Sequence, residues 1–366
     1  MAKAAKTPPT KAAKRSTTSL PAKSTQARNA KSTKTAAPAR AKSGTRKPIT
    51  AQRSLVAGLR LLQIAPDGKP TDAAFEAYDI RKAVEKNPVQ IPALPGSLPM
   101  LNAIRLAQHD QDLRAAKLWG LLPADFTERT QLTGIELEAA IADNPGYDFY
   151  YCSANPELEA VHHNAWRSPE ITHPNFVGLS RAFLNAAGVG DAPVDAISHS
   201  ALFATGNLIV ATPEIWTQYT AFIDRLMAAA VANLDKAQAN ALFNEKPIRG
   251  RMTYLALLAA RLPGVFLMMK QSNFKTLKIP LVKQERGLNP HLRVLREMKD
   301  IGLEQRSRWH LTSWMTYRGL YLAHVLGKAW VMKHIDSITP KTTLTAVPIP
   351  TFNTPYPRSF QADALL

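Results

Sequence analysis

The residues best suited to chemistry gather in one stretch, residues 144–173. A turn at Asn144-Pro145-Gly146 leads into a short aromatic run, which ends at Cys152, the single cysteine of the chain. Asp148 lies in this run, and His173 closes the dense polar segment that follows it. A carboxylate at the rim of a strand can orient a sugar hydroxyl or remove its proton, and so can an imidazole near neutral pH. The stretch therefore predicts an acid–base site.

The same region gives weaker support to other chemistries. Cys152 has no local signature of a nucleophile, so a small buried residue is the better interpretation. His162-His163 and His173 have no carboxylate or thiol that completes a metal-ligand spacing. Asp110-Gln111-Asp112 has the spacing of a metal-binding carboxylate pair, but it follows an amphipathic segment, which favours an exposed loop. We find no phosphate loop, nucleophile elbow or His-Glu-x-x-His motif.

Strands and helices that alternate along the chain must position these residues. The apolar run 116–123 stops at a proline, as a buried strand does. Thr133-Gly134-Ile135-Glu136 fits a capping box and predicts a helix, and 148–152 then predicts a further strand. A helix after His173-Pro174, a strand region over 201–211 and a helix after Thr212-Pro213 complete the pattern.

Strands that alternate with helices across short connections predict an α/β fold, to which we assign a single mixed sheet. Ligands on such sheets bind outside the carboxyl ends of the strands, where we expect 152–155 and 206–207 to lie. We predict four segments along the chain. They are a disordered basic tail over 1–48, an α/β domain over 50–290, a C-terminal helical section over 291–338 and an extended proline-containing arm over 339–366.

The positive charge is concentrated at the N-terminus. Residues 1–48 contain 13 Lys and Arg and no Asp or Glu, so they supply +13 of the formal +18 and leave +5 for the rest. A flexible basic segment binds anionic surfaces without specificity, and nucleic acid and an anionic membrane both fit as partners. The alternative interpretation is a solvating extension.

Two absences bear on location. No apolar run reaches the roughly 20 residues that span a bilayer, and the charged N-terminus has no apolar stretch of a secretory signal behind it. One cysteine excludes an internal disulfide framework and fits a reducing compartment. We therefore expect a soluble cytoplasmic protein without a transmembrane segment, peripheral to the membrane.

A combination of short motifs resembles a known group of proteins. Taken together, the motifs are similar to those of poorly characterised bacterial glycosyltransferase-like proteins associated with cell-surface polysaccharide synthesis. The resemblance covers roughly residues 70–335 and rests on the order of the motifs more than on any one of them. They are Phe75–Lys82, Trp119–Pro123, Asn144–Asp148, Asn164–Trp166 with His173-Pro174, and Asn207–Val210 with Trp216 and Tyr219.

The resemblance implies a nucleotide-sugar-transferase-like domain that moves a sugar from a nucleotide donor to a glycan or lipid-linked acceptor. The nucleotide sugar is then the donor substrate, and Mg²⁺ or Mn²⁺ is a candidate cofactor without a clear motif. Combined with the polar cluster, the resemblance indicates Asp148 and His173 as catalytic residues. The substrate-binding candidates are Asn155, Asn164, Trp166, Glu170 and Asn207.

A second hypothesis gives the working role to the basic tail. The protein would then associate with nucleic acid or another polyanion, and the globular domain would be a non-catalytic scaffold. This hypothesis predicts DNA binding that weakens steeply with salt and disappears when residues 1–48 are deleted. Composition does not choose between the two hypotheses, because a tail of +13 binds polyanions in either case.

Overall fold

The computed structural model describes residues 55–65, 67–86, 94–96, 98–245, 252–270 and 273–338. The predicted basic tail over 1–48 and the predicted arm over 339–366 lie outside the described residues. Within the described part, no helix combines the length and the apolar character needed to cross a membrane.

The described chain contains six strands and sixteen α-helices. The strands are β1 (Leu59–Ile64), β2 (Glu76–Tyr78), β3 (Leu118–Leu122), β4 (Phe149–Tyr151), β5 (Ile209–Ala211) and β6 (Thr276–Lys278). The helices are α1 (Ile80–Lys86), α2 (Pro99–Ala107), α3 (Gln111–Arg114), α4 (Phe126–Thr130), α5 (Gly134–Asp143), α6 (Pro156–Val161), α7 (Phe176–Ala186), α8 (Ala192–Asp195), α9 (Pro213–Asn233), α10 (Lys236–Phe243), α11 (Tyr254–Ala259), α12 (Leu262–Lys270), α13 (Val282–Gly287), α14 (Pro290–Glu304), α15 (Arg308–Leu326) and α16 (Lys328–Ile338).

All six strands belong to one mixed sheet with the order β2-β1-β3-β5-β4-β6. β1 is parallel to β2 and β3, and β4 is parallel to β6. β5 is antiparallel to both of its neighbours, β3 and β4, so it alone runs against the other described strands. The sequence-based prediction of an α/β fold with a single mixed sheet is therefore confirmed.

Strand β3 is buried along its whole length, because helices cover both faces of the sheet. Its residues alternate between two apolar clusters: Trp119 and Leu121 face one, and Leu118 and Leu122 face the other. The indole Nε1 of Trp216 on α9 donates a hydrogen bond of 2.8 Å to the Trp119 carbonyl, and the two indoles stack at 4.6 Å. A continuous apolar run is the sequence pattern of a strand covered on both faces.

Local capping signals determine where several helices begin. The Thr133 hydroxyl accepts from the Glu136 N–H while the Glu136 carboxylate accepts from the Thr133 N–H, which is the predicted capping box. Thr212 caps α9 in the same way through the Ile215 N–H, with Pro213 in the first turn. Asp110 accepts from the Asp112 N–H and begins α3, so the Asp-Gln-Asp segment has a structural role.

The predicted strand region over 201–211 is shorter in the structure. Only Ile209–Ala211 pair as β5, and Ser200–Leu202 form a 3₁₀ turn. Gly206 has a φ of +80° and donates its N–H to the Ala260 carbonyl at 2.6 Å, so the chain leaves the strand direction there. The contact comes from a distant segment, and local sequence patterns carry no sign of it.

The C-terminal helices form a separate packing unit against α6. A third apolar cluster joins α6, α14 and α15 through side chains that include Leu295, Leu303 and Trp314. The Trp314 Nε1 donates a hydrogen bond of 3.0 Å to the Ala160 carbonyl. This unit covers the side of the sheet next to β6 and positions the residues that follow β4.

Candidate functional site

Five strands share one direction, so their carboxyl ends meet at one edge of the sheet, which we call the carboxyl edge. β5 runs the other way, so the segment that enters it lies at this same edge. Tyr151 pairs with Ile209, and the Cys152 N–H donates to the Leu208 carbonyl at 3.0 Å. The pairing brings the residues after β4 next to those before β5, as expected for 152–155 and 206–207.

Buried hydroxyl groups lie at this edge. Ser153 is 2% exposed and Thr205 is 7% exposed, and neither hydroxyl oxygen has a hydrogen-bond partner in the described part of the chain. The register of β4 and β5 places Ser153 beside Asn207. Buried polar atoms normally have a partner, so these two hydroxyls are an exception within the described part of the chain.

Arg129 supplies a cation to the carboxyl edge. It lies on α4, which follows β3, and its guanidinium approaches the backbone of Gly206: a Cβ placed on that glycine would lie 3.3 Å from Nη2. The left-handed φ of Gly206 also favours glycine there. The Arg129 side chain is 37% exposed. Its guanidinium Nη1 forms a long ion pair of 3.9 Å with the Asp125 carboxylate. An accessible guanidinium of this kind can bind a phosphate.

An ion pair lies at the end of β6. The Lys278 ammonium is 2.6 Å from one carboxylate oxygen of Glu159, and the Arg296 guanidinium is 3.7 Å from the other. Glu159 is fully buried on α6, whereas the Lys278 side chain is 23% exposed. Lys278 also donates to the Ser200 carbonyl at 3.2 Å. The carboxylate therefore holds a partly accessible ammonium group at the carboxyl edge.

Cys152 lies beside this ion pair but is not a nucleophile at neutral pH. Burial raises the pKa of its thiol to about 12, although the charge of Lys278 opposes this shift. The thiolate is the reactive form of cysteine, so a protonated thiol here is inert. The interpretation of Cys152 as a small buried residue agrees with this environment.

The structure brings two of the predicted substrate-binding residues to the carboxyl edge. Asn155 immediately precedes α6, is half-buried, and its side chain does not cap the helix. Asn207 lies at the entry to β5, and its Oδ1 accepts a hydrogen bond of 2.7 Å from the Tyr219 hydroxyl. Their predicted roles in substrate binding stay predictions, now with a common location.

Asp148, predicted as catalytic, lies at the opposite end of β4. Its carboxylate accepts from the Lys275 N–H at 2.8 Å, and its own N–H donates to the Lys275 carbonyl at 2.9 Å. These contacts align β4 with the chain that leads into β6. Cys152 is the fourth residue along the extended chain after Asp148, about 13 Å away. Asp148 and the carboxyl edge therefore do not share a cleft.

His173, the other predicted catalytic residue, is held on both sides of its ring. Its Nε2 lies 2.9 Å from the Met252 carbonyl and its Nδ1 lies 2.9 Å from the Thr172 hydroxyl. The ring also packs edge-on against Tyr254 at 5.3 Å. These contacts fix the segment before α7 to the segment that begins α11.

The remaining predicted binding residues stabilise the loop between α6 and α7. The Asn164 amide donates to the Val194 and Ala196 carbonyls at 2.8 and 2.7 Å, and its oxygen accepts from the Trp166 N–H. The Glu170 carboxylate accepts from the N–H groups of Asn175 and Val177, at the start of α7. Trp166 stacks on Phe176 at 6.3 Å.

A buried cluster of basic side chains lies behind this loop. Burial is the main reason why the pKa of His162 is lowered to about 3 and the pKa of Lys299 to about 8. Burial also holds the pKa of His163 well below its ordinary value. Lys299 donates to the carbonyls of Glu159 and His162 and lies over the Trp314 ring at 5.7 Å. These contacts hold α6, and with it Glu159, against the C-terminal helices.

Arg129, Lys278 and Arg296 were not predicted as site residues. Lys278 ends a segment whose strand character could be recognised from the sequence, so the edge rule could have found it. Arg129 and Arg296 lie on helices with many charged neighbours, and no local signal distinguishes them. Their positions depend on contacts between distant parts of the chain.

The described residues contain no group of three or more His, Cys, Asp and Glu side chains that could hold a metal ion. A separate open groove of about 240 Å³ lies near the opposite edge of the sheet, and it is smaller than most ligand pockets. It is lined by Gln108, Arg114, Trp119, Pro213, Glu214 and Thr217. Comparisons of the chain with protein-family models, curated proteins and solved structures find no match.

Proposed function

We propose that the chain is a glycosyltransferase-like enzyme that transfers a sugar from a nucleotide donor to a glycan or lipid-linked acceptor at the carboxyl edge. The observation that carries the proposal is the presence of two partly accessible cations there, Arg129 beside Gly206 and Lys278, which is paired with the buried Glu159. A diphosphate needs such positive charge, and ligands of α/β sheets bind at this edge. The single mixed sheet is the type that the sequence resemblance implies.

The two cations lie at the same edge of the sheet. Arg129 lies beside Gly206, which precedes β5, and Lys278 ends β6, two strands away. Arg129 would bind the phosphates through its planar guanidinium, and Lys278 would contact the sugar or the leaving phosphate. Asn155 and Asn207 lie at the same edge and would bind polar groups of the substrate.

The proposal is tested by titration with a panel of nucleoside diphosphates and nucleotide sugars, with and without Mg²⁺ or Mn²⁺. We expect at least one donor to raise the melting temperature and to release or absorb heat in calorimetry. Arg129→Gln should weaken that binding about tenfold, because it removes a charge-assisted hydrogen bond to phosphate.

The matched control is Arg225→Gln, which removes an exposed guanidinium from α9. It should bind the donor as the unmodified chain does. If no member of the panel binds with or without metal, the proposal fails. If Arg225→Gln weakens binding as much as Arg129→Gln, the donor is held by net charge and not by the carboxyl edge.

The uneven charge of the sequence favours a second candidate function. The N-terminal 48 residues carry +13 without any acidic residue, which suits association with nucleic acid or another polyanion. The globular domain would then be a scaffold. The buried hydroxyls and the ion pair at the carboxyl edge have no role in that hypothesis, which is why we place it second.

A further inference from the structure

The open groove near the opposite edge of the sheet is lined by charged groups of both signs. Its volume is about 240 Å³, roughly the share of eight water molecules in liquid water. Arg114 at the end of α3 and Glu214 in the first turn of α9 both line it. Trp119 and Pro213 contribute the apolar part of the lining. A ligand of this groove must therefore be small, with polar groups for the two charges.

Neither charged group of the groove is part of an ion pair within the described residues. The exposed Arg114 guanidinium has no hydrogen-bond acceptor and no carboxylate partner there. The Glu214 carboxylate accepts one hydrogen bond, of 3.3 Å, from the Gln218 amide, and it has no cation as a partner. The groove thus holds a cation and an anion that do not neutralise each other directly.

The uncharged polar groups of the groove divide in the same way. Gln108 follows α2, and its Oε1 accepts from the Thr220 hydroxyl, so its amide N–H groups remain as donors. Thr217 lies one helical turn after Glu214 on α9, and its hydroxyl donates to the Pro213 carbonyl at 3.0 Å. The Thr217 oxygen therefore remains as an acceptor. The segment before β3 contributes the donors of the groove, and α9 contributes the acceptors.

We propose that this groove binds a free α-amino acid. The carboxylate of the ligand accepts from the donors Arg114 and Gln108. Its ammonium group donates to the acceptors Glu214 and Thr217. A simple anion would be repelled by Glu214 and a simple cation by Arg114, whereas a zwitterion satisfies both charges. The site is separate from the carboxyl edge, so the proposal does not depend on the proposed transferase function.

The first test titrates the full chain with each of the common L-amino acids and follows the melting temperature and the heat of binding. We expect at least one amino acid to bind and to raise the melting temperature. The methyl ester of that amino acid lacks the negative charge, and its N-acetyl derivative lacks the positive charge. Each derivative should bind about tenfold more weakly, because one charged group of the groove then has no partner.

The second test assigns the binding to the groove with two single variants. Arg114→Gln should weaken binding about tenfold, because it removes a charge-assisted hydrogen bond to the carboxylate, and Glu214→Gln should do the same for the ammonium group. Both side chains are exposed, so the fold should be retained, which circular dichroism checks. The controls are Arg225→Gln and Glu297→Gln, which remove exposed charges outside the groove and should bind as the unmodified chain does.

Three results would overturn the proposal. One is the absence of binding by every amino acid. Another is a methyl ester or an N-acetyl derivative that binds as tightly as the amino acid itself, because the groove would then not recognise a zwitterion. The third is equal binding by the unmodified chain, Arg114→Gln and Glu214→Gln, which would place the amino acid outside the groove.

Discussion

At the scale of single residues, the decisive feature is one fully buried carboxylate and the two cations that neutralise it. Glu159 is fully buried, and the positive charges of Lys278 and Arg296 compensate its negative charge. Removing one member of a buried ion pair leaves an uncompensated charge and costs about 3–5 kcal/mol. Glu159 therefore holds Lys278 in position, and a change at Lys278 should alter stability as well as the proposed donor binding. Arg129, being more exposed, is the better residue for a functional test.

The buried histidines predict a dependence of stability on pH. The pKa of His162 is lowered to about 3 in the folded chain, mainly by burial and further by the charge of Arg318. The imidazole of the unfolded chain binds a proton as the pH falls below about 6.5, whereas the folded one stays neutral. The free energy of unfolding should thus be highest above that pH and should fall by up to about 1.4 kcal/mol per pH unit below it.

Urea unfolding at a series of pH values checks this prediction with His162→Gln as the comparison. The variant should lose less stability than the unmodified chain between about pH 6 and about pH 4, because glutamine does not titrate. Above about pH 7 the two curves should run parallel, since neither side chain changes its charge there. Equal losses at low pH would show that His162 does not contribute to the acid sensitivity.

Several residue roles could not be derived from the sequence. Asn164 and Glu170 were correctly located in a polar loop, yet a polar side chain that binds backbone groups looks the same in a sequence as one that binds a substrate. Their partners lie at positions such as Val194 and Val177, and only folding brings them together. The candidate residues were thus predicted as a region, and their individual contacts were not.

At the scale of elements, the reversed strand β5 is the feature that shapes the carboxyl edge. It packs so closely against β3 that a Cβ on Gly120 would lie 2.7 Å from a Val210 methyl carbon and 2.8 Å from the Ile209 carbonyl oxygen. The Ile209 carbonyl belongs to the backbone, so it could make room for a Cβ only if strand β5 itself moved. Glycine at position 120 therefore permits the pairing that brings the entry of β5 next to the end of β4.

Gly120→Ala should consequently destabilise the chain by roughly 1–3 kcal/mol, the usual cost of adding atoms to a close-packed interior. Chemical denaturation measures this change. Gly319→Ala is the control, because a Cβ there meets no atom within 4 Å and alanine favours a helix interior by about 1 kcal/mol. If the two alanine variants change the free energy of unfolding alike, the close contact between β3 and β5 has no energetic importance.

Elements with strong local signals were predicted well. The apolar run of β3, the capping box of α5 and the Thr-Pro start of α9 all depend on residues close together in sequence. The apolar segment 252–262 forms α11 and the start of α12. Pro263 lies in the first turn of α12, where its missing N–H is tolerated, so the break falls just before it.

At the scale of the whole molecule, the carboxyl edge is connected to the C-terminal helices. The carboxyl edge carries the cations Arg129 and Lys278. α6 follows β4 and packs against α14 and α15, so it connects the edge to the C-terminal helices.

The fold class and the location of the edge could be predicted because they follow from alternation and from strand ends. The order of the strands could not, since the pairing of β3 with β5 joins segments about ninety residues apart. Arg129 and Lys278 belong to that long-range arrangement. Local patterns therefore revealed where a site could form, while the cations that define it required the topology.

The most direct measurement for the central claim is photolabelling of the full chain with a photoreactive nucleotide sugar selected from the titration panel, followed by peptide mapping. We expect the label on the segments at the carboxyl edge, namely 123–131, 152–156, 203–208 and 278–285, and we expect excess unlabelled donor to prevent it. If excess donor prevents labelling but the label lies on the groove beside Trp119 or on the N-terminal segment, this result would contradict a donor site at the carboxyl edge.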